Sequence, residues 1–499
     1  MRDAKRPVSR HIDDNRRELR RIFAGCDDVV FEHFRFGARF EAEALVVYCK
    51  PLVQKMDHNI LRTVLNDLVV VSEGEKPLKL KNVTQFFEYR GPSSRPYRVL
   101  DDYESVAGGV LAGKTVLFFD TWDKALAFDF YHVERRNVLE PANEVVIYGP
   151  RESTVEDLEK NIAMLRLRLP NPNFKVNIHR AGEHTKTRFM IAYLDDKVNR
   201  AALAELERRI EAMPRTELLD VSYLRSFIED AVYSPFPQYR NTERPDVAVS
   251  ALLEGKILLM ADGSNTIYIA PTLFYELFQS PEDYYQRTII ASLIRVMRMI
   301  AFFIALTLPS FYIALTTFHP ELIPTDLLLT ILDAREGIPF PALVEAALMQ
   351  FFFELLREAG VRLPRPIGSA VSIFGALIVG ESAIQAGISS PIMIVVIALT
   401  GIASFSLPHY ALAISLRILV FPLMLLATLW GGFGLMVGLI FIFLHLASLR
   451  SLGEPYLSPL APFRPLQWTD VFILAPLRVR KKLAGGDYYS GKPDAGKGR

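Results

Sequence analysis

The chain has 499 residues, half of them hydrophobic, with 57 Lys and Arg against 56 Asp and Glu for a formal net charge of +1. That balance argues against a nucleic-acid binder, which needs a basic excess to neutralise phosphates. The charges crowd into residues 1–260 and thin out after Arg298, the pattern of a water-soluble half followed by a lipid-soluble half. The two cysteines, Cys26 and Cys49, stand in no CxxC or metal-ligand spacing and read as free thiols in a reducing compartment. The first 21 residues hold no apolar core and so no signal peptide, which places the soluble half in the cytosol.

The soluble half alternates helical and extended patterns. Residues 10–24 form a charged helix pattern, 29–36 and 44–49 are rich in Val, Phe and Tyr as strands are, and 59–71 is a helix pattern. A strand pair follows at 115–120 and 125–131. The order then recurs: helix at 154–169, strands at 174–179 and 188–194, helix at 200–213, and a strand pair at 256–260 and 266–269. Two segment pairs repeat in register. LAGKTVLFFD (111–120) resembles LEGKILLMAD (253–262), and FGARFEAEALVVY (36–48) resembles AGEHTKTRFMIAY (181–193). We expect a duplication, with two similar α/β subdomains at 1–135 and 136–285. Gly113 and Gly255 suit helix C-caps that need positive φ, and Asp120 and Asp262 suit strand-end turns. The stretch 234–246 (SPFPQYRNTERPD) reads either as a surface linker or as an inter-subunit contact.

Residues 286–452 are expected to form an all-α polytopic membrane bundle, with 453–499 as a cytoplasmic tail. Spans of about 20 apolar residues fit 299–318, 367–388, 410–429 and 433–449, with a shorter one at 392–407. The segment 342–359 is ambiguous. Gln350, Glu354, Arg357 and Glu358 share one helical face there, with Glu345 on the other side. The loop 319–340 is acidic, whereas Arg295, Arg298, Arg362, Arg365, Arg450 and the Arg and Lys of 478–482 flank the opposite ends. The positive-inside rule then puts both termini in the cytoplasm if 342–359 crosses, for six crossings in all. The Gln350, Glu354 and Glu358 stripe is the pore or gating candidate; the competing account keeps it inside a single bundle, paired with Arg417 or Arg362. Glu381, Gln385 and Arg417 are intramembrane polar candidates that must face protein or water. Gly368, Gly375, Gly380 and Gly387 mark close helix contacts.

Several long motifs occur in order: TERPDVAVSALLEGK (242–256), QSPEDYYQR (279–287), IPFPALVEAALMQFFFELLREAGVRLP (338–364), IGSAVSIFGALIVGESAIQAGISSP (367–391) and PYLSPLAPF (455–463). They resemble the A-subunit family of Ger-type spore germinant receptors. The family pattern carries an Arg where this chain has Tyr148, a Gly where it has Ser153, and more arginines in the NIAMLRLRL run (161–169). The resemblance implies a protein of the spore inner membrane that acts with a transporter-like B subunit and a lipid-anchored C subunit. It further implies a homo-oligomeric, germinant-gated cation channel embedded in membrane lipid, without cofactor, that starts germination.

A sporulation-stage membrane protein linked to dipicolinate release is the related alternative. A secondary transporter would place Glu381 and Arg417 at a midplane site and show inverted repeats in the membrane half, whereas the repeat lies in the soluble half. A non-conducting scaffold is the third reading. No nucleophile elbow, metal cluster or GxxxxGK[ST] motif suggests an enzyme.

Overall fold

In a computed structural model the described residues are 6–36, 42–53, 84, 87–88, 96–130, 141, 144, 146–213, 216–362, 375, 378, 380–463, 468 and 470–476. The helix pattern at 59–71, Gly368, Arg365, most of the span at 367–388 and the basic run at 478–482 lie outside them.

The first subdomain begins with α1 (Ile12–Ile22), whose acidic first turn (Asp13, Asp14) and basic last turn (Arg20, Arg21) complement the helix dipole. Strands β1 (Val29–Phe36), β2 (Ala42–Cys49), β3 (Tyr97–Leu100), β4 (Lys114–Phe119) and β5 (Ala125–Asp129) make an antiparallel sheet in the order β1-β2-β4-β5-β3, with α2 (Tyr103–Leu111) before β4. Alternate side chains of a strand point to opposite faces. Leu45, Val47 and Cys49 of β2 therefore pack under α1 and α2, while Ala44, Val46 and Tyr48 enter a second core with Phe87 and Phe119. Covering both faces explains why these strands read as continuous apolar runs.

The second subdomain repeats the plan. Helix α3 (Leu158–Arg168) precedes β6 (Phe174–Ala181) and β7 (Thr187–Leu194). Next come α4 (Arg200–Glu211), β8 (Arg240–Thr242), α5 (Pro245–Leu253), β9 (Ile257–Ala261) and β10 (Ile267–Ala270). Its sheet order, β6-β7-β9-β10-β8, is the first order over again. The duplication extends to single atoms. Gly113 and Gly255 follow α2 and α5 at φ 79° and 80°. Asp120 and Asp262 accept the backbone N–H that opens α1 and α3, from Ile12 and Leu158, each at 3.2 Å. Asn15 and Asn161, both fully buried, hold the chain ahead of those helices through Ser9 and Val155. Stretch 234–246 is not a surface linker. It supplies β8, and Phe236, Gln238 and Arg244 are at most 2 % exposed. Its buried backbone is paired in the sheet with β10.

The two subdomains meet through Asp28 and Arg166, both side chains wholly buried, with Arg166 Nε and Nη2 donating to the carboxylate at 2.7 and 2.9 Å. Cys26 and Cys49 lie beside this pair, free and buried. Desolvation, ahead of the neighbouring charges, holds both thiols above their usual range, which leaves them poor nucleophiles.

The helical half comprises α6 (Thr288–Phe318), α7 (Thr325–Arg335), α8 (Ala342–Arg362), α9 (Pro391–Phe405) and α10 (Tyr410–Ser448). Helices α6 and α10 are long and apolar enough to cross a membrane. They leave many large apolar side chains exposed, among them Ile289, Leu293, Phe433 and Phe441, a surface that suits lipid rather than water. Helix α10 breaks at Trp430 and Gly431, where Gly431 takes φ 59°. The chain reverses there: Gly438 packs on Leu423, and Ser415 and His445 both return to residues 234–235. The loop at 319–340 contains α7, whose apolar Leu327, Leu329 and Leu332 stay exposed.

The segment beyond Arg450 is not a free tail where it is described. Leu452 completes the core of the second subdomain, and the fully buried Tyr456 donates to Pro237 at 2.6 Å. The soluble half and this segment therefore lie on one side of the helices.

Candidate functional site

Helix α8 is 21 residues long, about 31 Å at the α-helical rise, and packs among α6, α9 and α10. Its small residues let neighbours approach: Ala346 is fully buried, and the Phe353 ring covers Gly401 of α9 so closely that a Cβ there would meet it at 2.3 Å. Gly375 sits under Leu356 in the same way, at 2.6 Å. Gly380 has no such crowding, and Gly387 serves a positive-φ turn instead.

The polar stripe of α8 meets Arg417 of α10. Glu354 receives Gln350 Nε2 at 3.3 Å and is ion-paired with Arg357 one turn on, while Arg417 Nε stands 3.9 Å away. Gln350 and Arg417 are 3 % and 7 % exposed. One carboxylate thus faces two guanidiniums, and Gln350 Oε1 with Arg417 Nε and Nη1 finds no hydrogen-bond partner among the described residues. The Arg417 guanidinium instead rests over the Tyr410 ring, 5.4 Å from its centre. Glu358 does not join this cluster. It is exposed and bonded to Arg362 at 2.6 and 2.8 Å. Glu381 and Gln385 bond each other at 3.2 Å, both exposed and apart from Arg417.

Glu345, on the opposite side of α8, was passed over in the sequence yet is the most enclosed carboxylate of the helix. It is fully buried and accepts from Ser390 N and Oγ at 2.6 and 2.5 Å and from Ser389 Oγ at 3.3 Å, with Arg335 Nε at 3.9 Å. It fastens the turn before α9 at the positive end of that helix.

At the base of the helices, Arg295 of α6 bonds Asp283 at 3.0 Å and Asp470 at 2.8 Å, all three side chains at most 7 % exposed. Lys256, from the repeated Gly-Lys, donates to Glu276 at 2.6 Å and to the Pro271 carbonyl at 2.8 Å. The Arg295 contacts join the helical half to the second subdomain, and the Lys256 contacts brace the segment that leads into α6.

A model of the family described as Bacillus/Clostridium GerA spore germination protein matches residues 17–484. The chain belongs to the GerA family. Uncharacterized membrane protein YfkQ of Bacillus subtilis (strain 168) is 39% identical over 94% of this chain and 90% of its own length. Spore germination protein KA of the same strain is 39% identical over 95% and 86%, and spore germination protein GerLA of Bacillus cereus 38% over 76% and 77%. The crystal structure of the N-terminal domain of the A subunit of the Bacillus megaterium spore germinant receptor GerK3 aligns with TM-score 0.40 and 22% identity, covering 54% of this chain and 98% of that one.

Tyr148, Ser153 and the run 161–169 of this GerA-family chain have visible settings. Tyr148 is 60 % exposed, and Ser153 is buried with Oγ donating to the Glu243 carbonyl at 3.2 Å. Between them Gly149, at φ 119°, lies against the Tyr285 ring, where a Cβ would come within 2.8 Å. The sparse arginines of 161–169 include Arg166, the buried partner of Asp28.

Proposed function

We propose that the chain is the A subunit of a spore germinant receptor, forming in the spore inner membrane a homo-oligomeric, germinant-gated path for cations. A transporter-like B subunit and a lipid-anchored C subunit complete the receptor, and the chain acts by gating rather than by catalysis. Membership of the GerA family over 17–484 carries the reading, and relatives of similar length bear the name spore germination protein. The shared side of the soluble half and the segment beyond Arg450 supports a cytoplasmic location for both under the positive-inside rule.

The geometry of α8 supports a path made between subunits. Polar atoms that lack partners inside a membrane bundle cost a few kcal/mol each, and Gln350 and Arg417 hold three such atoms. Closed symmetry repeats one residue at one depth, so an oligomer can ring a path with the half-buried Glu354 and the exposed Glu358. Arg357 and Arg417 then tune the field of each Glu354. Glu354→Gln tests the assignment in spores. The expected result is abundant, assembled protein with an altered rate of cation release. Release at the parental rate from abundant, assembled protein removes Glu354 from the path, and disappearance of the protein from the membrane assigns it to packing within one subunit.

A further inference from the structure

Helix α6 is 31 residues long, about 46 Å at the α-helical rise, whereas the hydrocarbon of a bilayer is about 30 Å thick. Part of the helix must therefore lie outside the hydrocarbon, and the packing says which part. Phe302 meets the rings of Phe274 and Phe278 edge-on, 5.7 and 5.3 Å between centres, in the stretch that follows β10. The far end, Phe318, lies against Gly431, where α10 reverses. From Phe302 to Phe318 the helix rises about 24 Å. That stretch and about one further turn fill the hydrocarbon, so residues 288–297 run beside the soluble half. Their other contacts agree with this level. Arg295 bonds Asp283, and Leu474 N donates to Ser292 Oγ at 3.0 Å.

These lower turns have two unlike faces. One holds Ala291 and Arg295, each at most 2 % exposed. The other carries Ile289, Ile290, Leu293, Val296 and Met297, with Ile289 83 % and Leu293 62 % exposed. Ile289, Leu293 and Val296 recur at steps of four and three and so line one side of the helix. Ile300 and Phe303, also exposed, carry the same line up into the span. No charge interrupts it. Arg295 and Arg298, the charged residues between 288 and 300, are turned inward to Asp283 and Asp470. Such a face suits lipid where lipid reaches it, but a helix face turned to water carries polar and charged residues. The surface stays apolar below the helix. Gly149 lies against the Tyr285 ring, and Ile147 and Tyr148, just before it, are both exposed.

We propose that a second copy of this chain docks on this face of α6. The inference rests on the homo-oligomeric reading above and gives it a surface. The face crosses the boundary between two solvents without changing character. Lipid tails cannot follow it down to Ile289 and Ile147, and a purely soluble protein cannot follow it up to Phe303. The partner must have a soluble part and a membrane part joined at the same height, and another copy inserted the same way has both. A face without charge also suits an identical surface, because no like charges are brought together. An apolar area of this kind, exposed outside lipid, marks a protein contact.

The test is the mass of the full-length chain in detergent micelles, measured by sedimentation with the detergent contribution subtracted, beside its unfolding midpoint. The parent chain is expected to be an oligomer. Leu293→Glu puts a carboxylate into the docked face, which should weaken association at least about a hundredfold. The variant should then run as single chains, with the midpoint unchanged because most of Leu293 is free of its own chain. A folded Leu293→Glu chain that stays oligomeric overturns this surface and leaves the homo-oligomer standing. Cover by lipid headgroups, by the residues after Pro476 or by an unlike protein gives that result. A monomeric parent overturns both the surface and the homo-oligomer. Should Leu293→Glu lower the midpoint, the neutral Ile289→Gln is read in the same way, and an unchanged mass there overturns the proposal.

Discussion

The two subdomains share strand order, helix placement, the Gly at the same φ and the Asp at the same helix start, but they differ in what they are joined to. In the first, Lys114 is half-buried at the start of the central strand β4, opposite Asp129. In the second the matching Lys256 is buried and spent on Glu276, in the segment that leads into α6. The first subdomain touches the rest of the molecule through Asp28–Arg166 and the β6 neighbourhood. The second takes part of its core from beyond the last helix. A duplicated fold has thus kept its framework and turned one copy into a base for the membrane helices.

Cutting the base should have the largest effect. Arg295→Ala leaves Asp283 and Asp470 buried with one partner fewer each, and removing one side of a buried charge pair costs about 3–5 kcal/mol. We expect a loss near the upper end, read as a collapse of folded protein recovered from membranes. Arg166→Ala should cost about 3 kcal/mol, because Asp28 is stranded in the same way. This time the loss should appear as an earlier unfolding step confined to the first subdomain, with the helical half still assembled. A single cooperative transition in both variants would dissolve the distinction between the copies. The finest comparison uses the shared Asp. Asp120→Ala removes one acceptor at the start of α1, worth about 1 kcal/mol. Asp262→Ala removes its equivalent and also an Arg188 contact at 2.9 Å, so its loss should exceed the first by up to about 1 kcal/mol. Equal losses would mean that Arg188 is held by Glu159 alone.

The long strands were legible, since β2 and β7 hold apolar runs (Ala44–Cys49 and Phe189–Leu194) and β1 and β6 are rich in aromatic and β-branched residues. Short edge strands were not. β8 spans three residues among prolines, and its hydrogen bonds go to β10, far along the chain, so no local pattern announces it. α7 went unnoticed within an acidic loop, although Asp326, Thr330 and Asp333 recur there at helical spacing. On α8 the spacing correctly grouped Gln350 and Glu354 on one face. Pairing with Arg417 or Arg362 inside one bundle was the competing account, and Arg417 Nε stands 3.9 Å from Glu354 while Arg362 bonds Glu358 at 2.6 Å; that Glu345, alone on the other side, meets the SSP turn had no local signal.

The segment after Arg450 sets a timetable for synthesis. Sheet β6–β10 is complete once Ala270 is made, but Leu452, which joins its core, follows only after every helix has been threaded. At roughly 5–20 residues per second a ribosome spends about ten to forty seconds on that interval. Through that time the second subdomain presents an uncovered apolar edge near the translocation machinery, so a stalled or truncated chain would be marked for disposal by an unfinished core rather than by a missing helix.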